Sequence, residues 1–200
     1  MNQSDYRQAI VEYIRLNAKP PDKLSHQPRL YELARNLAEN QDYDDDVLFA
    51  GAWMHDLGVF IGHRPENPLA LANWDNVAYA VKEAPKILIQ LGFPQAKLPQ
   101  VLEIIRTHLP SVTPTSFEGT LLRDADILEQ LGATGILRIV SKIGRDTRFV
   151  VFADAIEVLR KSMLELPPEI RLAPAQRLAE GRVKVMRDFL TAAEAEVGEG

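Results

Sequence analysis

The histidines, and the carboxylates placed near them, are the residues of this 200-residue chain best suited to chemistry. There are four histidines, His26, His55, His63 and His108, and no cysteine. Thiolate nucleophiles, disulfides and Cys-ligated zinc are therefore excluded, which leaves imidazole, carboxylate and hydroxyl chemistry. His55-Asp56 closes an apolar run containing Leu48, Ala52 and Trp53, where a solvated charge is not expected. Adjacent helical residues point about 100° apart, so one metal at the edge of such a helix could draw on both side chains. A buried aspartate without a partner would be costly. His26 heads a stripe that continues through Leu30, Leu33 and Leu37, and His108 completes the series Val101, Ile104 and Ile105. Both spacings predict inward-facing imidazoles. A lone inward histidine is ordinarily a satisfied core residue; three of them, one beside an aspartate, point to a shared polar centre. A further carboxylate source is the segment from Leu121 to Leu131, where Asp124 and Asp126 flank Ala125 on opposite sides of an apolar stripe. One of the two is expected to reach inward while the other caps, pairs or faces water.

Helices must position these groups, because the apolar pattern has a period near 3.6 almost throughout. Helices are predicted over 5–17, 25–40 and 44–57, the third with aspartates at its positive end and Gly58 as its C-terminal stop. Asn67-Pro68 reads as an N-cap followed by proline at the first helical position. Pro85, Pro94 and Pro99 are expected to divide the following stretch into shorter helices. Thr115-x-x-Glu118 reads as a capping box ahead of a helix ending near Gly132, and a long amphipathic helix is predicted at 174–195. The β-leaning islands Ile139-Val140 and Phe149-Val150-Val151-Phe152 are too short to build a sheet. The expected fold class is all-α: one helical-bundle domain over 1–200, its core at 22–145 and C-terminal helices at 149–195 packed on it. Segments 59–67 and 109–116 are irregular and are candidates for site-lining loops.

Composition narrows the partners. With 46% hydrophobic and 26% charged residues the chain is that of a globular protein. A net charge of −5 argues against general binding of nucleic-acid polymers or anionic membranes. The start carries no charged-then-apolar signal layout and no apolar run reaches membrane-spanning length, so a cytoplasmic location is expected. Walker, dinucleotide, Gly-x-Ser-x-Gly and His-Glu-x-x-His motifs are absent. The basic residues of 138–148 and 171–187 read as solvated helix faces rather than an anion groove. Leu178, Met186, Phe189 and Leu190 read as core, or as the surface of a homodimer.

The order His26, then His55-Asp56, then Asp126 within Asp-Ala-Asp-Ile-Leu resembles the HD-domain metal-dependent phosphohydrolases. Ser25-His-Gln-Pro-Arg-Leu-Tyr-Glu-Leu-Ala34 looks like their His-x-x-Arg opening helix, and Ala50-Gly-Ala-Trp-Met-His-Asp-Leu-Gly58 like their apolar helix ending in His-Asp-Ile-Gly. Glu118 to Gly132, with Ile-Ile-Arg-Thr-His108 upstream and the tail from Arg177 to Leu190, is similar to a branch of small stand-alone bacterial HD hydrolases. The similarity covers about 22–192. It implies an all-α fold in which His26, His55, Asp56 and Asp126 bind one divalent cation. A donor set without thiolate suits Mn, Fe, Co, Ni or Zn, with Mg also allowed. Such an ion acidifies and orients water at phosphorus and offsets phosphoryl charge. The implied substrate is a small phosphorylated metabolite, a nucleotide or related phosphoester. Arg29, one turn from His26, could then bind phosphate, its alternative being a surface ion-pairing arginine. Asp124 would support the site or act as general base, its alternative being a plain helix-surface charge, and His108 would contact the phosphoryl group or leaving oxygen.

Two departures bear on the chemistry. Many of these hydrolases carry a lysine just after the His-Asp-x-Gly motif, where this chain continues Val59-Phe60, so phosphate contact would pass to His63 or Arg64, although both fall in an expected exposed loop where a plain surface role is the favoured reading. Dinuclear members have additional histidines, but the spacings of His63 and His108 do not match them, which favours one metal. Two other readings stay open. A di-iron oxygenase of the same fold would need both additional histidines as ligands, and a metal-stabilised binding or signalling module would hold its ligand without turnover.

Overall fold

The computed structural model describes residues 3–20 and 24–197; residues 22 and 23, at the start of the expected core, lie outside them. Helices α1 (Gln3–Asn17), α2 (His26–Leu37), α3 (Asp45–Met54), α4 (Pro68–Ala72), α5 (Asn76–Gln90), α6 (Leu98–Thr107), α7 (Phe117–Glu129), α8 (Gly132–Val140), α9 (Phe152–Glu165) and α10 (Ala173–Val197) account for the secondary structure, joined by short 3-10 turns. No strand occurs among the described residues; the first β-leaning island falls in α8, and the second is an irregular segment that enters α9 only at Phe152. The fold class is all-α. No described helix is long and apolar enough to cross a membrane. Contacts gather the chain into two compact units, Met1–Arg123 and Asp124–Gly200, with α7 contributing to each.

In the first unit, α3 packs against α1, α2 and α6, and α5 packs against α6 and the 3-10 turn Leu57–Val59. Asp44 caps α3, its Oδ1 accepting from the backbone N–H of Asp46 at 3.1 Å and of Val47 at 3.3 Å. The helix is buried on every side from Asp46 to Met54, which explains its near-continuous apolar sequence. At Gly51 an added Cβ would lie 2.0 Å from Ile104 Cδ1, so glycine sets how closely α3 and α6 approach. In the second unit α8, α9 and α10 pack on one another.

Three local expectations are corrected. First, α3 ends at Met54, and Gly58 is not its stop, because Gly58 lacks the positive φ of a left-handed cap. Glycine is needed there because a Cβ would lie 2.4 Å from Asn76 O and 2.6 Å from Asn76 Cα at the start of α5. Gly58→Ala should therefore cost about 1–3 kcal/mol or more, read as a fall of several degrees in Tm, since backbone rather than a flexible side chain must yield. An unchanged Tm would show that the two segments separate readily. Second, Pro85 lies inside α5 without dividing it. Ala80, Ala84 and Leu88 form a fully buried stripe on either side, and that burial offsets the missing backbone hydrogen bond. Third, Thr115-x-x-Glu118 is not a capping box: Ser116 Oγ accepts the Gly119 N–H at 3.0 Å, while Glu118 Oε1 accepts the Asp44 N–H at 2.7 Å.

The tail is mixed in character. Met186 and Leu190 are core, but Leu178 and Phe189 stay 46% and 37% exposed, so α10 buries only one side of its apolar series. Arg182 and Arg138 are not wholly solvated either: they donate to the Leu128 and Glu129 carbonyls at the C-terminal end of α7, where cations are favoured.

Candidate metal centre

Helices α2 and α3 run antiparallel, as two ring pairs show: Tyr31 lies 5.1 Å from Phe49, and His26 lies 5.4 Å from His55. This pairing sets the start of α2 against the end of α3. His26 and His55 are 5% and 1% exposed, as their positions in the apolar stripes predict. The chain then tightens after Met54, and Asp56 turns between them. Its Oδ2 lies 3.8 Å from His26 Nε2 and its Oδ1 lies 3.7 Å from His55 Nε2. One ligand atom from each residue falls within 4.8 Å of the others.

Those separations test whether a cation fits. Ligands held about 2.0–2.2 Å from one ion lie roughly 3–4 Å from each other, longer than a direct hydrogen bond, as observed for both imidazole–carboxylate pairs. The tautomer also fits. His55 Nδ1 lies 3.0 Å from the Ala52 carbonyl, which can only accept, so Nδ1 carries a proton and the neutral ring has its lone pair on Nε2, on the Asp56 side. His26, His55 and Asp56 could thus hold a divalent cation.

His108 extends the cluster. It is 2% exposed, its ring centroid lies 5.0 Å from that of His55, and its Nδ1 donates to Ile105 O at 2.7 Å. Its Nε2 is the end left for other chemistry. The loop that follows is tied down on both sides. Buried Arg123 donates to the Pro110 carbonyl. Glu103 of α6 accepts from the Thr115 N–H at 2.9 Å, the Thr115 hydroxyl at 2.8 Å and the Ser116 hydroxyl at 2.6 Å. Burial pushes the Glu103 carboxyl up, but these donors outweigh it and hold the group below the ordinary glutamate value. Its stabilising contribution is therefore full above the unfolded-state value and is lost as the pH falls through the lowered folded-state value. Glu103→Gln should flatten this acid limb in thermal melts between about pH 6 and pH 3; an identical limb in both proteins would remove Glu103 as its source.

The other candidate residues are distributed as follows. Arg29 lies one turn from His26 and is exposed. Asp124 and Asp126 are both buried, at 0% and 9% exposure, so neither faces water and Asp124 is no helix-surface charge. Asp124 Oδ2 accepts the backbone N–H groups of Arg171 and Leu172 at 2.9 and 2.7 Å, holding the turn before α10. Asp126 Oδ2 receives the Gln130 amide at 3.4 Å. His63 and Arg64 are half-buried rather than exposed, and His63 Nδ1 donates to Leu57 O at 2.8 Å. Glu103, Trp74 and Tyr79 escaped notice in the sequence: each is held by contacts with residues distant along the chain, and nothing in local spacing marks them.

The sequence profile of the HD domain matches residues 24–131, more than half of the chain. This protein belongs to the HD-domain family. Its fold recurs in solved HD-type structures along nearly their whole length. Bacillus subtilis YpgQ is 22% identical, with a TM-score of 0.75 over 98% of each chain. YpgQ in complex with ADP gives 22% and 0.73 over 98% of this chain and 97% of that one. An HD-superfamily hydrolase from Bacillus thuringiensis gives 21% and 0.68 over 98% and 99%, and a "predicted HD superfamily hydrolase" from an uncultured Thermotogales bacterium gives 24% and 0.65 over 99% and 100%. At these identities the likeness is one of fold. No protein of curated function matches the sequence.

Proposed function

We propose that this HD domain is a metal-dependent hydrolase of a small phosphorylated metabolite, with a nucleotide as the leading substrate class. The observation that carries the proposal is the convergence of His26, His55 and Asp56 within 4.8 Å at the meeting point of α2 and α3. The ADP bound to YpgQ supports the choice of a nucleotide.

In this reading His26 and His55, through Nε2, and Asp56, through its carboxylate, would hold one divalent ion of the class Mn, Fe, Co, Ni, Zn or Mg. When bound, the ion supplies Lewis acidity, acidifying water and offsetting phosphoryl charge. Asp126 is the fourth ligand that the family resemblance assigns, and metal content of Asp126→Ala tests it. Arg29 binds a phosphate oxygen. His108, with Nδ1 committed to Ile105 O, directs Nε2 to the phosphoryl group or the leaving oxygen, and as the imidazolium it can hand its Nε2 proton to the latter. Asp124 supports the helix that carries Asp126 by anchoring the 171–172 turn.

The deciding experiment is a phosphoester panel, including nucleoside mono- and diphosphates and sugar phosphates, assayed with Mn, Co, Ni, Mg and Zn. Phosphate release that depends on added metal is expected. Silence across the panel at every metal would overturn the proposal.

A further inference from the structure

The turn that follows the His55-Asp56 pair is held by an aromatic ladder whose rings the proposed hydrolysis does not use. The Trp74 indole N–H donates to Gly58 O at 2.8 Å, and His63 Nδ1 donates to Leu57 O at 2.8 Å. Both carbonyls belong to the 3-10 turn one and two residues beyond Asp56. Tyr79, on the first turns of α5, bridges the two rings: its centroid is 5.3 Å from Trp74 and 5.5 Å from His63. Below them His63 lies 5.7 Å from Phe60, which is fully buried.

Several features set this ladder apart from core. Trp74, Tyr79 and His63 are each only half-buried, although a packed aromatic core would close over them. Their planes are tilted by 39° and 47°, so no ring face is covered by flat stacking on its neighbour. The hydrogen bonds fix the indole and imidazole in place, which removes much of the entropy loss that ordering a ring on binding would otherwise incur. Half-buried Arg64 adds a positive charge next to His63. A rigid, part-open aromatic surface bonded to the turn beside a candidate phosphoester-cleaving centre suits a planar, uncharged ring carried by the same molecule as the phosphate.

We infer that Trp74, Tyr79 and His63 form a stacking platform for the nucleobase of the substrate. This rests on the proposed phosphoester hydrolysis and narrows it, favouring nucleotides over sugar phosphates. Specificity then comes from ring stacking, which tolerates different bases because each offers a π-face.

The test separates the platform from the hydrolysis by using a ligand with no phosphate. The chain has two tryptophans, and Trp53 is 6% exposed, so a soluble quencher such as iodide reports chiefly on Trp74. Adenosine, titrated into the metal-free protein, should shield Trp74 from iodide, while ribose 5-phosphate should not. Calorimetric affinity for adenosine should fall at least about fivefold in Tyr79→Leu and be kept in Tyr79→Phe, the loss expected for one base–ring contact. Absence of shielding in the wild type, which needs no variant to fold, overturns the platform, as does equal adenosine binding in Tyr79→Leu. Shielding by adenosine with no phosphate released from any ester would sink the hydrolase reading and leave the platform standing.

Discussion

His55→Ala and Asp56→Ala should each take bound divalent metal from one per chain to near zero, and metal-dependent phosphate release should fall to background. The expectation follows from geometry: each substitution removes one member of a three-residue cluster whose ligand atoms lie within 4.8 Å. Losing a residue that merely supports a ligand typically lowers metal affinity 10–100-fold, so losing a ligand itself should cost well over 100-fold. Stability should change in step with occupancy. A ligand present at about 100 times its dissociation constant stabilises the folded state by about 2.7 kcal/mol, and both variants should lose this increment on metal addition. Removing the His55 ring also opens a gap between His26 and His108, so His55→Ala should be the less stable of the two in the absence of metal. Plasma spectrometry of the metal content, with thermal melts with and without metal, checks both statements. Full occupancy in either variant would refute the ligand assignment.

His108→Ala should separate chemistry from metal binding. The wild-type ring is fully buried against His55 with Nδ1 bonded to Ile105 O, a constraint that aims Nε2 rather than leaving it to rotate. A donor or acid positioned in this way is worth about 10²–10⁴ in rate, roughly 3–5 kcal/mol. Turnover should drop by that factor while metal content stays near one per chain. A fall in stoichiometry from two toward one would instead identify His108 as a ligand of a second ion and favour the di-iron oxygenase. If the imidazole only fills the core, melting alone should suffer, by about 1–3 kcal/mol, and turnover per folded molecule should persist. One preparation assayed for rate, metal and Tm distinguishes the three outcomes.

Much of the centre was legible in the sequence because helical periodicity reports which face of a segment is buried. It placed His26, His55 and His108 inward, and all three are buried. It also marked the Asp44 end of α3 and the Asn67-Pro68 start of α4, since capping depends on residues only two or three positions apart. What lies opposite a buried face is not encoded in its period. The antiparallel crossing of α2 and α3, which turns two separate histidines and Asp56 into one cluster, depends on contacts between residues about 30 positions apart. The same holds for Gly58, whose constraint is Asn76, and for Glu103, which gathers donors from 115 and 116. Pro85 shows it in reverse: its local cost is real, yet burial of Ala80, Ala84 and Leu88 overrides it. Asp124 and Asp126 read as opposite flanks of one helix, one reaching inward while the other caps, pairs or faces water. Both are buried, because the turn before α10 supplies the amides that engage Asp124. Local sequence thus determined the helices and which imidazoles face inward. The tertiary structure alone decided which of them meet, because that depends on the crossing of helices whose facing surfaces share no local signal.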